Sequence, residues 1–233
     1  MRPAANVRGI SLVELMVGIA IGMIVVAGAS VMLVNQVNEH RRLMLETQVQ
    51  QDLRAASDLI LRELRKAGYR GKVQGGIWSP AAPAVAAAAG TLYSETSPMT
   101  DAAGAAQVTY RYSKDSLDNT ADVFNSANEQ FGFRKNGDVL QFQLGNGNWQ
   151  PLTDPGTVTV TAFTVDLVVQ NVDMADYCEL PCPVGAANCP PRQEVLNFTV
   201  NLTGRATHDP AVIRSLNVST RVRNDRIVGV CPT

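Results

Sequence analysis

Gly9-Ile10-Ser11-Leu12-Val13-Glu14, followed by twenty residues from Leu15 to Val34 without a charged side chain, is the stretch on which the reading of this 233-residue chain turns. It sets one carboxylate at the head of a segment long enough to cross a membrane. Of residues 10 to 34, twenty-two are apolar or glycine. At about 1.5 Å per helical residue, the uncharged run alone spans the roughly 30 Å of a bilayer core. A charge in such surroundings costs about 2.5 to 3.5 kcal/mol even on the lowest insertion scales, so Glu14 calls for a partner or a function. The nine residues ahead of Ile10 carry only Arg2 and Arg8 as charged side chains, which marks this end as cytoplasmic and places the remainder outside. An ordinary secretory signal peptide fits poorly. Ala27-Gly28-Ala29-Ser30 has the small residues of a cleavage site, yet apolar residues continue through Val34.

Beyond Val34 the chain becomes polar without a helix breaker, since no proline occurs between Pro3 and Pro80. The helix is therefore expected to continue. Leu45, Val49, Leu53, Ala56, Ile60, Leu64 and Ala67 recur at three- and four-residue steps, while Glu46, Asp52, Arg54, Asp58, Arg62 and Glu63 fall largely elsewhere. Asp58 and Arg62 have the favourable i,i+4 polarity. Arg62, Arg65 and Lys66 suit the C-terminal dipole, and Gly68 supplies a left-handed cap. A helix from Ile10 to about Ala67 is on the order of 87 Å long. Gly18, Gly22 and Gly28 each lower helix propensity by about 1 kcal/mol. They either admit close helix contact or mark a segment able to unwind outside the bilayer.

From Tyr69 onward the pattern changes to β. Residues 107–113, 129–134, 138–144, 158–170, 194–203 and 215–223 are rich in Val, Thr, Phe and Tyr with partial alternation. Asn136-Gly137 between two such runs is a hairpin signal, because the favoured two-residue turn requires positive φ at its centre. These signals predict an α+β fold: a long N-terminal helix packed on an antiparallel β-sheet, with about 165 residues after the helix forming one domain. The 80–106 stretch, with seven alanines between Ala81 and Ala89, reads as a long surface connection, in part a short helix.

Arg8-Gly9-Ile10-Ser11-Leu12-Val13-Glu14 resembles the N-terminal signature of type IV pilins and pseudopilins: a short basic leader ending in glycine, then an apolar residue, Ser or Thr, two apolar residues and a glutamate. The resemblance implies that a prepilin peptidase cuts between Gly9 and Ile10 and methylates the new amino group of Ile10. Ile10 departs from the family's commonest first mature residue, Phe, and looks more like a minor subunit. Leu61-Arg62-Glu63-Leu64-Arg65-Lys66-Ala67-Gly68-Tyr69-Arg70-Gly71 is similar to the helix end of the PilW family of minor pilins. Leu216 to Asn224 is similar to the closing strand of that family and of J-type minor pseudopilins of type II secretion. Residues 72–190 carry no such likeness.

After cleavage a cationic amine at Ile10 lies four residues before Glu14, on the same side of a helix. Within one subunit the acid also sits where the macrodipole favours negative charge. In a filament the resemblance implies that Glu14 neutralises the Ile10 amine of a neighbouring subunit. Burying either charge alone is costly, so the pair fixes axial register among otherwise featureless apolar rods.

Cys178, Cys182, Cys189 and Cys231 all fall in the exported part. In a periplasm, four cysteines, three of them in a loop with Pro181, Pro183, Pro190 and Pro191, read as two disulfides with three possible connectivities, and a bridge to Cys231 would tie the chain's last residues to the domain. A zinc site lacks paired C-x2-C hooks, and His40 and His208 are far apart in sequence; no C-x-x-C supports redox catalysis. No G-x-S-x-G, H-E-x-x-H or phosphate-binding loop occurs. Asp115, Asp118 and Asp122 miss the EF-hand spacing and read as a solvated loop. Residues 69–233 hold 12 Lys/Arg against 15 Asp/Glu, which does not favour nucleic-acid binding. Arg214, Arg221, Arg223 and Arg226 read as a salt-paired surface. The N-x-S/T triplets at Asn197, Asn201 and Asn217 read as incidental to strand sequence.

Together these readings predict a non-enzymatic, cofactor-free structural subunit. Its parts are a leader (1–9), a transmembrane or filament-core helix (10–34), an amphipathic continuation (35–68) and a periplasmic or extracellular β-rich domain (69–233). The resemblance implies a PilW-type minor pilin that primes or caps a type IV pilus. Its partners would be the prepilin peptidase, other minor pilins, the major pilin and the inner-membrane assembly platform. A J-type minor pseudopilin or a membrane-anchored periplasmic binding module are the alternatives.

Overall fold

The computed structural model describes residues 11–69, 93, 97–100, 106–113, 124–186 and 188–232. Helix α1 runs Leu12–Leu64 without interruption. The chain divides into two compact units, Met1–Leu45 and Glu46–Thr233.

In the first unit the apolar side chains of α1 are exposed throughout, with Leu12, Ile24 and Met32 each more than 70% accessible. A helix apolar all round has no amphipathic face to offer a soluble core. Gly18, Gly22 and Gly28 stay helical, and nothing lies within 4 Å of a Cβ built on any of them. Ser30 donates its hydroxyl to the Val26 carbonyl at 2.8 Å, leaving no polar donor outward.

In the second unit, by contrast, α1 buries one stripe: Val49, Leu53, Ala56, Ser57, Ile60, Glu63 and Leu64. The expected positions from Val49 to Ala67 are buried, and Leu45 is half-buried. Glu63 departs from expectation, being only 6% exposed. Asp58 and Arg62 do not pair; Arg62 reaches Glu63 at 3.7 Å. The helix stops at Leu64, three residues early. Lys66 and Ala67 bond back three residues, to Glu63 and Leu64, and Gly68 at φ +75° turns its N–H to Arg111 O at 2.9 Å.

The β part contains two antiparallel sheets, where the sequence reading expected one. The first is ordered β1 (Ser97–Thr100), β2 (Ala106–Arg111), β3 (Gln130–Asn136), β4 (Val139–Leu144) and β5 (Trp149–Pro151), with a short helix α2 (Ser126–Glu129) before β3. The second is ordered β6 (Val158–Asp173), β7 (Arg192–Ala206), β8 (Ile213–Arg221), and β9 (Arg226–Val228) also pairs with β7. Asn136 pairs with Val139, so the two-residue turn is Gly137-Asp138, one residue later than expected, and Gly137 has φ +57°. The stretch read as a surface connection contributes β1 and a buried Tyr93; residues 80–92 lie outside the described residues.

Strand β7 shows why the helix docks here. Phe198, Val200, Leu202 and Ala206 are buried, and the residues between them are half-exposed, the period-two pattern of a sheet with one covered face. Gly204 takes the remaining inward position. A Cβ there would meet Val158 Cγ1 at 2.9 Å and Leu53 Cδ2 at 3.1 Å, so glycine sets the closest approach of helix to strand. Polar ties flank the stripe. Glu46 pairs with Arg214, Asp52 accepts from Thr157 at 3.1 Å, and Arg65 donates to Thr220 at 2.7 Å. Asn224 donates to the Ala67 carbonyl at 3.0 Å, closing an orphan acceptor at the helix end.

Buried Glu63 is held by Lys66 at 2.7 Å and faces the Tyr112 hydroxyl at 3.5 Å. Tyr112 stacks on Phe131 with centroids 4.1 Å apart, and Lys66 lies over its ring. Desolvation, then the Glu63 charge, pushes the Tyr112 hydroxyl up to about 12. The same causes raise Tyr110 well above the ordinary tyrosine value. The Tyr110 hydroxyl has no hydrogen-bond partner among the described residues.

Two disulfides, Cys178–Cys231 and Cys182–Cys189, span 53 and 7 residues. The first anchors the chain beyond β9 to the loop between β6 and β7, where Val230 N also bonds Asn188 O at 2.8 Å. The Cys189–Pro190 bond in that loop is cis.

Gly204→Val should destabilise the protein by about 2–3 kcal/mol through overpacking against Leu53, read as a lowered Tm of the detergent-solubilised chain. Removing Cys178–Cys231 as a Cys-to-Ser pair should cost about 4 kcal/mol and removing Cys182–Cys189 about 2.5, since the longer loop frees more chain entropy; denaturant midpoints check the order. Unfolded tyrosine ionises near 10 whereas Tyr112 and Tyr110 hold their protons higher when folded. The contribution of these two tyrosines to stability should therefore be level below about pH 10 and be lost above it. In Tyr112→Phe part of that alkaline loss should vanish, as measured by unfolding at stepped pH.

Candidate assembly site

Glu14 lies in the first helical turn, where N–H groups lack carbonyl partners; the first bond of the ladder runs from Leu15 N to Ser11 O at 3.1 Å. Its carboxylate is exposed and has no hydrogen-bond or ion-pair partner among the described residues. From Leu12 to Val34 it is the sole charge on a helix whose apolar side chains are bare. A continuous apolar surface of this extent is of the kind that marks contact with lipid or with other protein. By length and composition α1 is able to cross a membrane. Chemically, the site offers one anion, held near the positive end of a helix dipole and set in an apolar shell. Gly9 and Ile10 lie outside the described residues, as do Asp115, Asp118 and Asp122.

The other acids of interest are engaged internally. Glu63 serves the helix end, Glu129 accepts from Tyr93 Oη at 2.9 Å and Asn125 N at 2.8 Å, and buried Glu194 is bracketed by Arg192 at 3.3 Å and Arg226 at 2.5 Å. No group of three or more His, Cys, Asp or Glu able to hold a metal occurs among the described residues. Of the C-terminal arginines, Arg214, Arg221 and Arg226 are paired with Glu46, Asp225 and Glu194. Arg223 has no side-chain partner among the described residues.

The three N-x-S/T triplets have a geometric origin. Asn197, Thr199, Asn201 and Thr203 alternate on the outer face of β7, with Asn217 and Ser219 opposite on β8. Asn217 donates to Asn201 and Asn201 to Thr164 at 3.1 Å, so a period-two polar face writes the triplet by itself.

Two family profiles match. The prokaryotic N-terminal methylation motif covers residues 4–30, and prepilin peptidase-dependent protein B covers residues 42–222. Neither a curated protein nor a solved structure matches the chain. The first profile takes in residues 4–30, including most of the apolar part of α1, and the second takes in the docked part of α1 and nearly all of both sheets, up to the residue after β8. The chain is a type IV pilin-like protein and belongs to the prepilin peptidase-dependent protein B family.

Proposed function

We propose that this chain is a PilW-type minor pilin that primes or caps assembly of a type IV pilus. The observation that carries the reading is Glu14: a carboxylate without a hydrogen-bond or ion-pair partner among the described residues, at the head of a helix whose apolar side chains are exposed. In this reading prepilin peptidase cuts between Gly9 and Ile10 and methylates Ile10. Residues 10–34 anchor the subunit in the inner membrane and then enter the filament core, residues 35–68 continue the helix, and residues 69–233 form the exported domain.

The bilayer holds the helix without selecting its axial position, because apolar contacts are similar at every turn. The Ile10 amine of a neighbouring subunit meeting Glu14 supplies the missing selection, since each buried charge is tolerable only beside the other. Other minor pilins, the major pilin and the inner-membrane platform are the partners of that step. The two disulfides accord with a domain that works in an oxidising compartment. The similarity of Leu216–Asn224 to J-type minor pseudopilins favours type II secretion as the second reading, and secretion assays in a deletion strain separate the two.

Glu14→Val should leave leader cleavage and membrane insertion intact and reduce incorporation into sheared surface filaments at least about tenfold, the effect of losing about 1.4 kcal/mol or more from a buried charge pair. Intact-mass analysis of membranes and filaments, with and without prepilin peptidase, checks this. Full-length protein confined to membranes in the presence of the peptidase, or normal incorporation of the variant, would refute the mechanism.

A further inference from the structure

The second sheet ends in β6 on one side and β8 on the other. The outer half of β6 is unusual for a strand. Every residue from Val168 to Asp173 is exposed, on both faces, with Val168 at 58% and Val172 at 44%. Among the described residues no layer covers either face there, and β7 is the only strand paired with β6. A bare strand edge carrying apolar side chains is a template for another strand.

Charge identifies the strand that fits. From Asn136 to Pro191 the chain has no Lys or Arg; the outer half of β6 ends at Asp173, and Asp176 and Glu179 follow it. The opposite edge has the other sign. Arg65, Arg221 and Arg223, with Ser219, Thr220 and Val222, line an open groove of about 640 Å³ along the end of β8. Asp225 neutralises Arg221 at 2.5 Å, whereas Arg65 bonds only the uncharged Thr220 hydroxyl and Arg223 has no side-chain partner among the described residues.

Direction agrees with charge. Both β6 and β8 are antiparallel to β7, so they run parallel to each other. In register, Arg221 lies level with Val168 at Asn197 of β7 and Asp173 lies level with Arg192, so a second copy entering in the same orientation and slid by about five residues along the strand brings the acidic end of its β6 to the arginine end of β8. The reverse orientation would bring the acids to Arg214, which Glu46 already holds. We propose that the outer half of β6 in one copy docks, strand to strand, on the arginine-lined edge of β8 in a second copy. The two surfaces differ, so the contact does not close on itself, and each copy keeps one edge open for the next subunit. It deepens the assembly reading above and rests on it in that one respect. No aromatic side chain lines the groove to stack bases, and the free main chain favours a polypeptide strand over nucleic acid.

The test uses the full-length chain in cells, with a photo-crosslinking amino acid at Val172. A covalent dimer is expected, its linked peptide mapping between Ile213 and Arg223. Arg223→Glu alone and Glu179→Arg alone should each lower the adduct about fivefold, and the two together should restore it, because every interface then carries the reversed pair. A second probe at Gln170 serves if the Val172 variant fails to form its disulfides. An adduct to another polypeptide or to nucleic acid, indifference to the reversals, or no adduct from disulfide-intact protein overturns the proposal. Filament incorporation scored in the same cells keeps the two readings apart: normal incorporation without the dimer removes only the strand contact, and absence from filaments removes the pilus role.

Discussion

The stripe Val49, Leu53, Ala56, Ile60 and Leu64 is the constraint on which the folded domain depends. It repeats at helical spacing, has no polar interruption before Ser57, and must be taken out of water. Leu53 packs over Gly204 of β7, where a side chain would hold it off. That single omission brings the helix within reach of Glu46–Arg214 and Arg65–Thr220 on β8 and Asp52–Thr157 at the start of β6. The N-terminal part of the same helix obeys the opposite rule. It has no preferred face, and its apolar side chains are exposed among the described residues.

Much of this was legible in the sequence, for identifiable reasons. The helix declared itself through length, absence of proline and a stripe spanning several turns. Strands β2, β3, β4, β6, β7 and β8 declared themselves through β-branched and aromatic runs. Three strands escaped: β1, β5 and β9 have four, three and three residues, too few for alternation to register. The hairpin was recognised but placed one residue early, because pairing of Asn136 with Val139 was decided by register along the whole of β3 and β4. Glu63 was misplaced because its burial depends on Lys66 and Tyr112, one of them 49 residues away. Tyr93 escaped because it stands after an alanine-rich stretch with no period.

Of the candidate site, Glu14 was legible because a lone charge in an apolar run is conspicuous in one dimension. The two-signed sheet edges were not. The acid-only stretch and the arginine-rich stretch are each unremarkable as composition; only the strand order puts them on opposite sides of one sheet. The asparagine triplets illustrate the reverse case. They look like a motif in sequence, and the sheet accounts for them as alternation.

The polar ties of the docked helix carry a further consequence. An apolar stripe with near-equal spacing has the symmetry of a comb, and sliding it by one turn, about 5.4 Å, returns almost the same apolar contacts. Glu46, Asp52 and Arg65 do not repeat at that interval, so a one-turn slip would strand all three at once. They act as the vernier against the comb. The greasy contacts supply most of the adhesion, and three modest polar contacts decide which notch the helix occupies.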